Sequence, residues 1–166
     1  MKINLKDLEK FKTSGKYQQY VYEASKTKTK DPFLPRFKKI EYSIGDYRAI
    51  DRYTGGENFA GENVIFYKEI PVFVANYFGY IIDKKFNIKT MYDFLSKALA
   101  AGHGKVLFRG LDGFSEKGFK YINKIKGDLE FAKGTEEIHF KGKKIYELFY
   151  HAGIIIDSRS QWDWNL

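Results

Sequence analysis

Three polar residues interrupt apolar segments that have the composition of β-strands. Asn76 lies in a run rich in Val, Phe and Tyr, and Glu147 and His151 lie in a second run of this kind. Because side chains alternate along a strand, Glu147 and His151 share one face. A buried carboxylate is costly unless it is paired, so Glu147 either faces water or meets a cation such as His151, Arg52 or Arg109.

These residues allow a functional and a structural interpretation. In the functional reading, Asn76, Glu147 and His151 line a concave pocket with Tyr77 and Tyr150 and hydrogen-bond a polar ligand, and Glu147 and His151 could act as acid and base. In the structural reading, Glu147 forms a satisfied internal ion pair.

The standard catalytic motifs are missing. Segment 102–105 resembles part of a phosphate-binding loop, but the first glycine of that motif is absent and Val106 stands where Ser or Thr should follow. No serine has the flanking residues of a nucleophile elbow, and the chain has no cysteine. His139 and His151 could approach across a hairpin, but their spacing is not that of metal ligands. The sequence thus favours a non-enzymatic protein and predicts no catalytic residue, metal or cofactor.

The aromatic content is high, with 13 Tyr and 15 Phe in 166 residues. Core positions are expected for most of Phe59, Phe66, Phe73, Phe94, Phe131, Phe140 and Phe149. Thirteen tyrosines exceed what a small core accommodates, because each buried hydroxyl needs a partner. Tyrosines at a groove suit stacking on a base or sugar, and Arg52 and Arg109 would neutralise phosphates.

The elements that must position these residues are mainly hairpins. Gly45 and Asp46 mark the turn of a first hairpin, and apolar runs at 64–67 and 72–78 predict a second. Segments 137–140 and 145–150 predict a third, and 119–124 predicts a further strand. One stripe of apolar residues predicts a helix capped by Thr90 and ending before Gly102. A short helix is predicted from Asn4 to about residue 14, and the C-terminal 161–166 alternates as an edge strand does.

The two halves of the chain repeat one pattern. Gly61, Tyr67, Lys68, Val72, Phe73 and Tyr77 match Gly134, Phe140, Lys141, Ile145, Tyr146 and Tyr150 at one constant spacing. Gly79 and the following Ile-Ile-Asp then match Gly153 and its own Ile-Ile-Asp with one residue inserted. The fold class predicted is α+β: a curved antiparallel sheet built from two duplicated hairpin units, with a concave face for a ligand and the helix packed on the other face.

Several of these residues also carry a family resemblance. The string from Asp51 to Val64, then Pro71-Val-Phe and 76–79, resembles the signature of the uncharacterised bacterial DUF5680 family, and 143–153 resembles its second block. The resemblance covers about residues 37–157 and departs at Phe73, Ala75 and Ala152. That family has no assigned activity. Its members resemble accessory domains that stand alone or follow a helix-turn-helix domain, which implies a small-molecule sensor.

Most of the formal charge of +8 belongs to the N-terminal region, where residues 1–40 hold eleven basic and four acidic side chains. Residues 1–36 are therefore interpreted as a basic helix-and-loop appendage, and residues 37–166 as one duplicated-sheet domain. No apolar run is long enough to cross a bilayer, and the N-terminus resembles no export signal, so a cytoplasmic location is expected. The oligomeric state is left open.

The leading hypothesis is a non-enzymatic domain that senses or sequesters an anionic, nucleotide-like small molecule. Tyr53, Tyr77 and Tyr150 would stack, Arg52 and Arg109 would bind anionic groups, and Asn76, Glu147 and His151 would recognise polar groups. One alternative is weak nucleic-acid binding through the basic residues 1–40. Another is an enzyme with a Glu147 and His151 acid–base pair.

Overall fold

The computed structural model describes residues 2–14, 28–102, 104–157 and 163–165. Within them the chain forms an α+β fold whose main element is an open, fully antiparallel sheet of nine strands. The elements in chain order are β1 Lys2–Asn4, α1 Leu5–Thr13, β2 Thr29–Lys30, β3 Lys38–Ile44, β4 Tyr47–Gly55, β5 Asn58–Tyr67, β6 Ile70–Ile81, α2 Ile88–Ala101, β7 Ser115–Glu116, β8 Phe119–Gly127, β9 Phe131–Phe140, β10 Lys143–Ile154 and β11 Asp163–Asn165.

Tight two-residue turns join the three predicted hairpins, all of which the structure confirms. Gly45 (φ 57°) lies in the β3–β4 turn, and Gly142 (φ 81°) lies in the β9–β10 turn after Lys141 (φ 48°). Lys68 and Glu69, in the β5–β6 turn, have φ of 49° and 65°. Two consecutive residues with positive φ, as at 68–69 and 141–142, are typical of the type I′ turn, whose twist matches that of the flanking strands.

The order of the main sheet is β2-β3-β4-β5-β6-β10-β9-β8-β7. The hairpin β5–β6 therefore meets the hairpin β9–β10 through β6 and β10, with Tyr77 directly opposite Tyr150. This is the pairing that two repeated units joined edge to edge would make. Duplication of the two units stays a prediction.

Each of these tyrosines lies flat across a glycine on the neighbouring strand. A Cβ atom built on Gly61 would be 2.4 Å from the Tyr77 hydroxyl, and one on Gly134 would be 2.3 Å from Cζ of Tyr150. Both glycines sit directly opposite the tyrosine that crosses them. The glycines of the repeat thus provide room for a ring, which reaches over them to the third strand.

Both helices cover the same face of the sheet, which we call the helix face. Leu8 and Phe11 of α1 and Met91 and Phe94 of α2 join one core cluster with Phe73 and other sheet residues. The α1 helix begins as expected, with the Asn4 side chain accepting a hydrogen bond from the Lys6 amide. The α2 helix begins earlier than expected, since its N-cap is Asn87, which accepts a 2.9 Å bond from the Thr90 amide.

The described part of residues 1–36 is not an appendage, which corrects the predicted boundary. Ile3, Leu8 and Phe11 are buried in the common core, and β1 pairs in parallel with β11. The C-terminal strand therefore forms within its predicted segment, but it pairs outside the main sheet. Residues 15–27, which carry part of the predicted basic loop, lie outside the described residues.

Lys12 of α1 is buried, with 5% of its surface exposed. Its ammonium lies 4.1 Å from the ring centroid of Phe73 and 4.8 Å from that of Phe108. No described carboxylate forms an ion pair with it. Burial lowers the pKa of Lys12 to about 7, because the charged form loses its hydration and gains only the two ring faces.

The opposite side of the sheet, which we call the far face, carries exposed phenylalanines. Phe131 and Phe149, both expected in the core, are 63% and 47% exposed, and Phe78 is 48% exposed. Strand alternation explains the difference, since Leu148 and Tyr150 on either side of Phe149 are the buried members of β10.

No helix among the described residues is long and apolar enough to cross a membrane.

Replacing Gly134 by Ala tests the glycine–tyrosine crossing. The added methyl collides with the Tyr150 ring and with the Lys124 carbonyl, so we expect a loss of about 2–4 kcal/mol in the free energy of unfolding, measured by urea denaturation. In a Tyr150→Leu background the same glycine substitution should cost less, because the ring that the methyl meets is absent. Gly56→Ala, at a site with no atom near the new Cβ, is the control, and an equal loss there would contradict this explanation.

Replacing Lys12 by Met tests the cost of the buried ammonium. The unfolded chain keeps the Lys12 proton up to pH of about 10.4, whereas the folded chain releases it near pH 7, so this residue makes the protein more stable as pH rises between those values. We expect Lys12→Met to raise the free energy of unfolding at pH 7 by on the order of 2–4 kcal/mol.

The gain of Lys12→Met should shrink as pH increases from 7 to 10, as followed by denaturation at each pH. Lys6→Met, at an exposed position of the same helix, should change stability by less than about 0.5 kcal/mol. A gain independent of pH would show that the ammonium carries no such cost.

Candidate binding site on the helix face

A buried ion pair holds the centre of the helix face together. The Arg109 Nε and Nη2 atoms donate to the two oxygens of Glu136 at 2.8 and 2.9 Å. The hydroxyls of Tyr121 and Tyr146 donate to the same carboxylate at 2.6 and 2.7 Å. Glu136, on β9, is fully buried, and four donors satisfy its two oxygens.

The electrostatics of this group favour the charged pair. Burial alone would raise the pKa of Glu136, but the charge of Arg109 and the hydrogen bonds from Arg109, Tyr121 and Tyr146 outweigh it and hold that pKa below its usual value. Burial and the nearby carboxylate raise the pKa of both tyrosines well above their ordinary value. Glu136 is therefore an anion that fixes a cation, and the tyrosines remain donors.

The loop between α2 and β7 delivers Arg109 to this position. Arg109 has φ of 60°, in the left-handed region that non-glycine residues seldom adopt. Its neighbour Gly110 donates its amide to the Tyr121 hydroxyl at 3.0 Å. The Asn123 side-chain amide donates to the carbonyls of Phe108 and Gly110. Contacts to β8 thus stabilise the backbone conformation that turns Arg109 towards Glu136.

Tyr77 and Tyr150 each end on a polar side chain beyond the glycine they cross. The Tyr77 hydroxyl donates to both oxygens of Asp51 on β4, at 3.1 and 3.2 Å. The Tyr150 hydroxyl donates to Oδ1 of Asn123 on β8 at 2.9 Å. The two contacts correspond across the β6–β10 junction, but one ends on a carboxyl group and the other on an amide.

The pKa of the Asp51 carboxyl group is also shifted. Burial raises its pKa to about 6, although the Tyr77 hydrogen bond and the Arg109 charge act in the opposite direction. The Arg109 guanidinium carbon lies 5.8 Å from the Tyr77 ring centroid. Arg109 therefore contacts Glu136 on one side and has Tyr77 and Asp51 on the other.

Further rings extend this region, which we call the tyrosine cluster: Asp51, Tyr53, Tyr77, Tyr92 and Arg109. The Phe59 ring lies 6.2 Å from that of Tyr77 and 6.1 Å from that of Tyr92. All members of the cluster are only partly buried, and the Arg109 side chain keeps 22% of its surface exposed. Nη1 of Arg109 forms no hydrogen bond to any described residue, so one edge of the guanidinium is available to a ligand.

The eight residues predicted for one concave site lie on two faces. Tyr53, Tyr77, Arg109 and Tyr150 lie on the helix face, and Arg52, Asn76, Glu147 and His151 lie on the far face. The expectation of one shared surface was wrong, because neighbours along a strand point to opposite sides. The helix was also expected on the face away from Tyr77 and Tyr150, and it covers the same one.

Two of the four predicted site residues on the far face have partners within the protein. Arg52 forms a 2.8 Å ion pair with the buried carboxylate of Asp31, which caps a turn by accepting from the amides of Phe33 and Leu34. Glu147 accepts from the Tyr80 hydroxyl and from Lys144. Arg52 and Glu147 therefore have structural partners, and Lys144 rather than a predicted cation meets Glu147.

The geometry does not assemble an acid–base pair. Glu147 and His151 are four residues apart on the regular strand β10, which separates them by about 13 Å. His139 binds Glu137 at 2.7 Å and pairs opposite Lys144, away from His151. The described residues contain no group of three or more His, Cys, Asp or Glu side chains that could hold a metal ion.

Asp51 and Glu136 were missed by sequence reasoning. Asp51 alternates with Tyr47, Ala49 and Tyr53 on one face of its strand, a signal that was available. Glu136 gives no comparable signal, because the adjacent Glu137 is equally polar and only the register shows which of the two is buried. Asn123 was missed for a similar reason.

The protein is an α+β domain with an open antiparallel sheet and both helices on one face. The polar tyrosine cluster lies on that face and is partly exposed. Residues 51–155 match the sequence model of the domain of unknown function DUF5680. The chain belongs to the DUF5680 family. The match includes Asp51, Tyr77, Arg109, Glu136 and Tyr150 within its limits. A comparison with curated proteins finds no match.

Replacing Glu136 by Gln tests the buried ion pair. Arg109 would then lack a counter-charge in a largely buried place, so we expect a loss of about 3–5 kcal/mol in the free energy of unfolding, measured by urea denaturation. Glu116→Gln breaks the more exposed 2.7 Å pair with Lys97 and should cost less than about 1 kcal/mol. Equal losses in the two variants would contradict the central place given to Glu136.

Proposed function

We propose that the tyrosine cluster binds an anionic, ring-containing small molecule of nucleotide-like chemistry. The observation that carries the proposal is the available Nη1 edge of Arg109, a cation whose opposite edge is fixed by Glu136. A guanidinium held in this way pairs with a phosphate or carboxylate without first losing side-chain freedom. Its position beside Tyr77 and Asp51 sets the place of the anionic group.

The rings of the cluster suit the other half of such a ligand. Tyr53 and Tyr92 are partly exposed, and aromatic rings of this kind stack on a base. Lys38 lies 5.4 Å from the Tyr53 ring centroid and adds a second cation nearby. Tyr150 is buried and bonded to Asn123, so it supports the site from below and does not stack.

Asp51 makes the affinity depend on pH. Below pH 6 its carboxyl group is protonated and neutral, and it adds a donor beside Arg109. Above pH 6 the carboxylate is negative and repels an anion. A ligand whose group beside Asp51 carries no charge would not show this dependence.

The proposed role is that of a sensor or a store for the bound molecule, acting in the cytoplasm. The cluster supplies cationic, aromatic and carboxyl groups suited to recognition, whereas Glu147 and His151, the acid–base pair of the alternative hypothesis, lie apart on β10. The chain has no cysteine, so its folding does not depend on an oxidising compartment. Nucleic-acid binding by residues 1–40 stays a separate proposal, to which the buried Lys12 does not contribute.

Analysis of the protein purified from cells tests the proposal. After heat denaturation, mass spectrometry should find an anionic ring compound released in proportion to protein, and the same compound should raise the melting temperature. Tyr53→Leu should weaken its binding about tenfold through loss of stacking. Phe33→Leu, at an exposed ring outside the cluster, is the matched control. An empty protein that no nucleotide stabilises would contradict the proposal.

A pH series tests the part played by Asp51. The affinity of the wild type relative to Asp51→Asn should fall as pH rises through about 6, because only the wild type gains a negative charge. The ligand titrates equally in both proteins, so the ratio of affinities isolates the side chain. Isothermal titration calorimetry from pH 5 to pH 8 measures it, and a ratio that stays constant would show that Asp51 does not face the anion.

A further inference from the structure

The far face carries a second feature, which the tyrosine cluster does not explain. Phe78 and Phe149 stand directly opposite each other on β6 and β10, and each exposes nearly half of its side chain. Tyr80 extends the row, with its ring centroid 6.2 Å from that of Phe78. Adjacent exposed aromatic rings at the centre of a sheet form a flat apolar surface suited to stacking.

Lysines flank this row on one side. Lys133 on β9 is opposite His151 on β10, and Lys126 on β8 is opposite Lys133. Lys124 on β8 lies in register with Phe149 on β10, two strands away, so that their Cα atoms are about 10 Å apart. Lys124, Lys126 and Lys133 are exposed and form no ion pair with any described residue. Their charges are therefore available to an anion that lies along the sheet.

The carboxylates of the same face do not cancel these charges. Glu137 is bonded to His139 and Lys144, and Glu147 is bonded to Lys144 and Tyr80. Glu62 lies beyond Asn76, on the side away from the lysines. Asp128 and Glu130 lie in the β8–β9 turn, at one end of the group of three lysines.

The charge pattern decides between the occupants of such a surface. A second copy of this chain placed face to face would bring three unpaired lysines against three others, which is unfavourable. A purely apolar partner would leave the lysines unused. A chain with one negative charge per unit and a ring on each unit uses both features.

We propose that the far face binds single-stranded nucleic acid, with bases stacked on Phe78 and Phe149 and the backbone phosphates against Lys124, Lys126 and Lys133. Asn76, two residues before Phe78 on β6, and His151, opposite Lys133 on β9, lie within the path of the strand and offer polar groups to a base edge. This site differs from the basic N-terminal residues and from the Arg109 cluster. Stacking on sheet aromatics next to basic side chains binds single strands with little dependence on sequence.

Fluorescence anisotropy with labelled oligo-dT and oligo-rU of about 12 nucleotides tests the proposal. At about 50 mM salt the wild-type protein should bind at least one of the two, and its affinity should fall steeply as salt increases. The double variant Phe78→Leu/Phe149→Leu keeps the surface apolar but removes the rings, and it should bind at least fivefold more weakly. Phe33→Leu, at an exposed ring outside the face, should bind as the wild type does.

Charge is tested with a matched pair of triple variants. Lys124→Gln/Lys126→Gln/Lys133→Gln should lower the affinity at least tenfold and reduce the salt dependence. Lys84→Gln/Lys85→Gln/Lys105→Gln removes the same charge at exposed positions outside both the far face and residues 1–40 and should have a much smaller effect. All variants are first checked for the wild-type melting temperature.

Three results would overturn the proposal. Wild-type protein that binds neither oligonucleotide at low salt is one, and equal losses in the two triple variants is another, because the latter would reduce the binding to net charge. The third is concentration-dependent dimerisation of the wild type, measured by sedimentation, that the Phe78→Leu/Phe149→Leu variant abolishes. A preference for oligo-rU or for oligo-dT identifies which nucleic acid the surface takes and supports the proposal in either case.

Discussion

The ion pair between Glu136 and Arg109 is the interaction on which the helix face depends. A carboxylate without solvent contact would cost more than the fold can supply unless strong donors surround it. The two tyrosine hydroxyls and the guanidinium meet that requirement. The same contacts hold the loop after α2 against β8 and β9, and they leave one edge of Arg109 exposed. The proposed function would link structural stability and ligand recognition in one residue, since the cation that neutralises Glu136 is also the group proposed to bind an anion.

The glycine–tyrosine crossing is the second constraint, and it explains why a glycine and a tyrosine recur together in both halves of the chain. Tyr77 and Tyr150 can lie flat only because Gly61 and Gly134 have no side chain. Laid flat, each ring reaches the third strand, where Tyr77 meets Asp51 and Tyr150 meets Asn123. The difference between carboxyl and amide makes one half of the symmetric arrangement titratable. The half with Asp51 is the one in which the Arg109 guanidinium lies over the tyrosine ring, 5.8 Å from the Tyr77 centroid.

Much of the fold could be predicted from sequence, because its signals are local. The three hairpins, both helices and the resemblance to DUF5680 follow from turn residues, periodicity and motif strings that lie within short windows. The site was harder to predict, because it depends on which face each strand presents and on contacts between distant residues. Strand alternation correctly placed Glu147 and His151 on one face, but only the register shows that this face also carries Asn76 and lies away from Arg109. Glu136 could not be chosen over Glu137, and the packing of α1 into the core could not be read from its basic composition.

In the proposed function, Asp51 and an anionic ligand share one site beside Arg109. Carbon-detected NMR of the Asp51 carboxyl group, titrated with and without saturating AMP as a probe, tests it most directly. Linkage requires that an anion bound next to the carboxylate favours its protonated form. If Asp51 adjoins the bound anion, its pKa should be about 6 without the nucleotide and higher with it. An ordinary aspartate titration that AMP leaves unchanged would show that the two do not share a site.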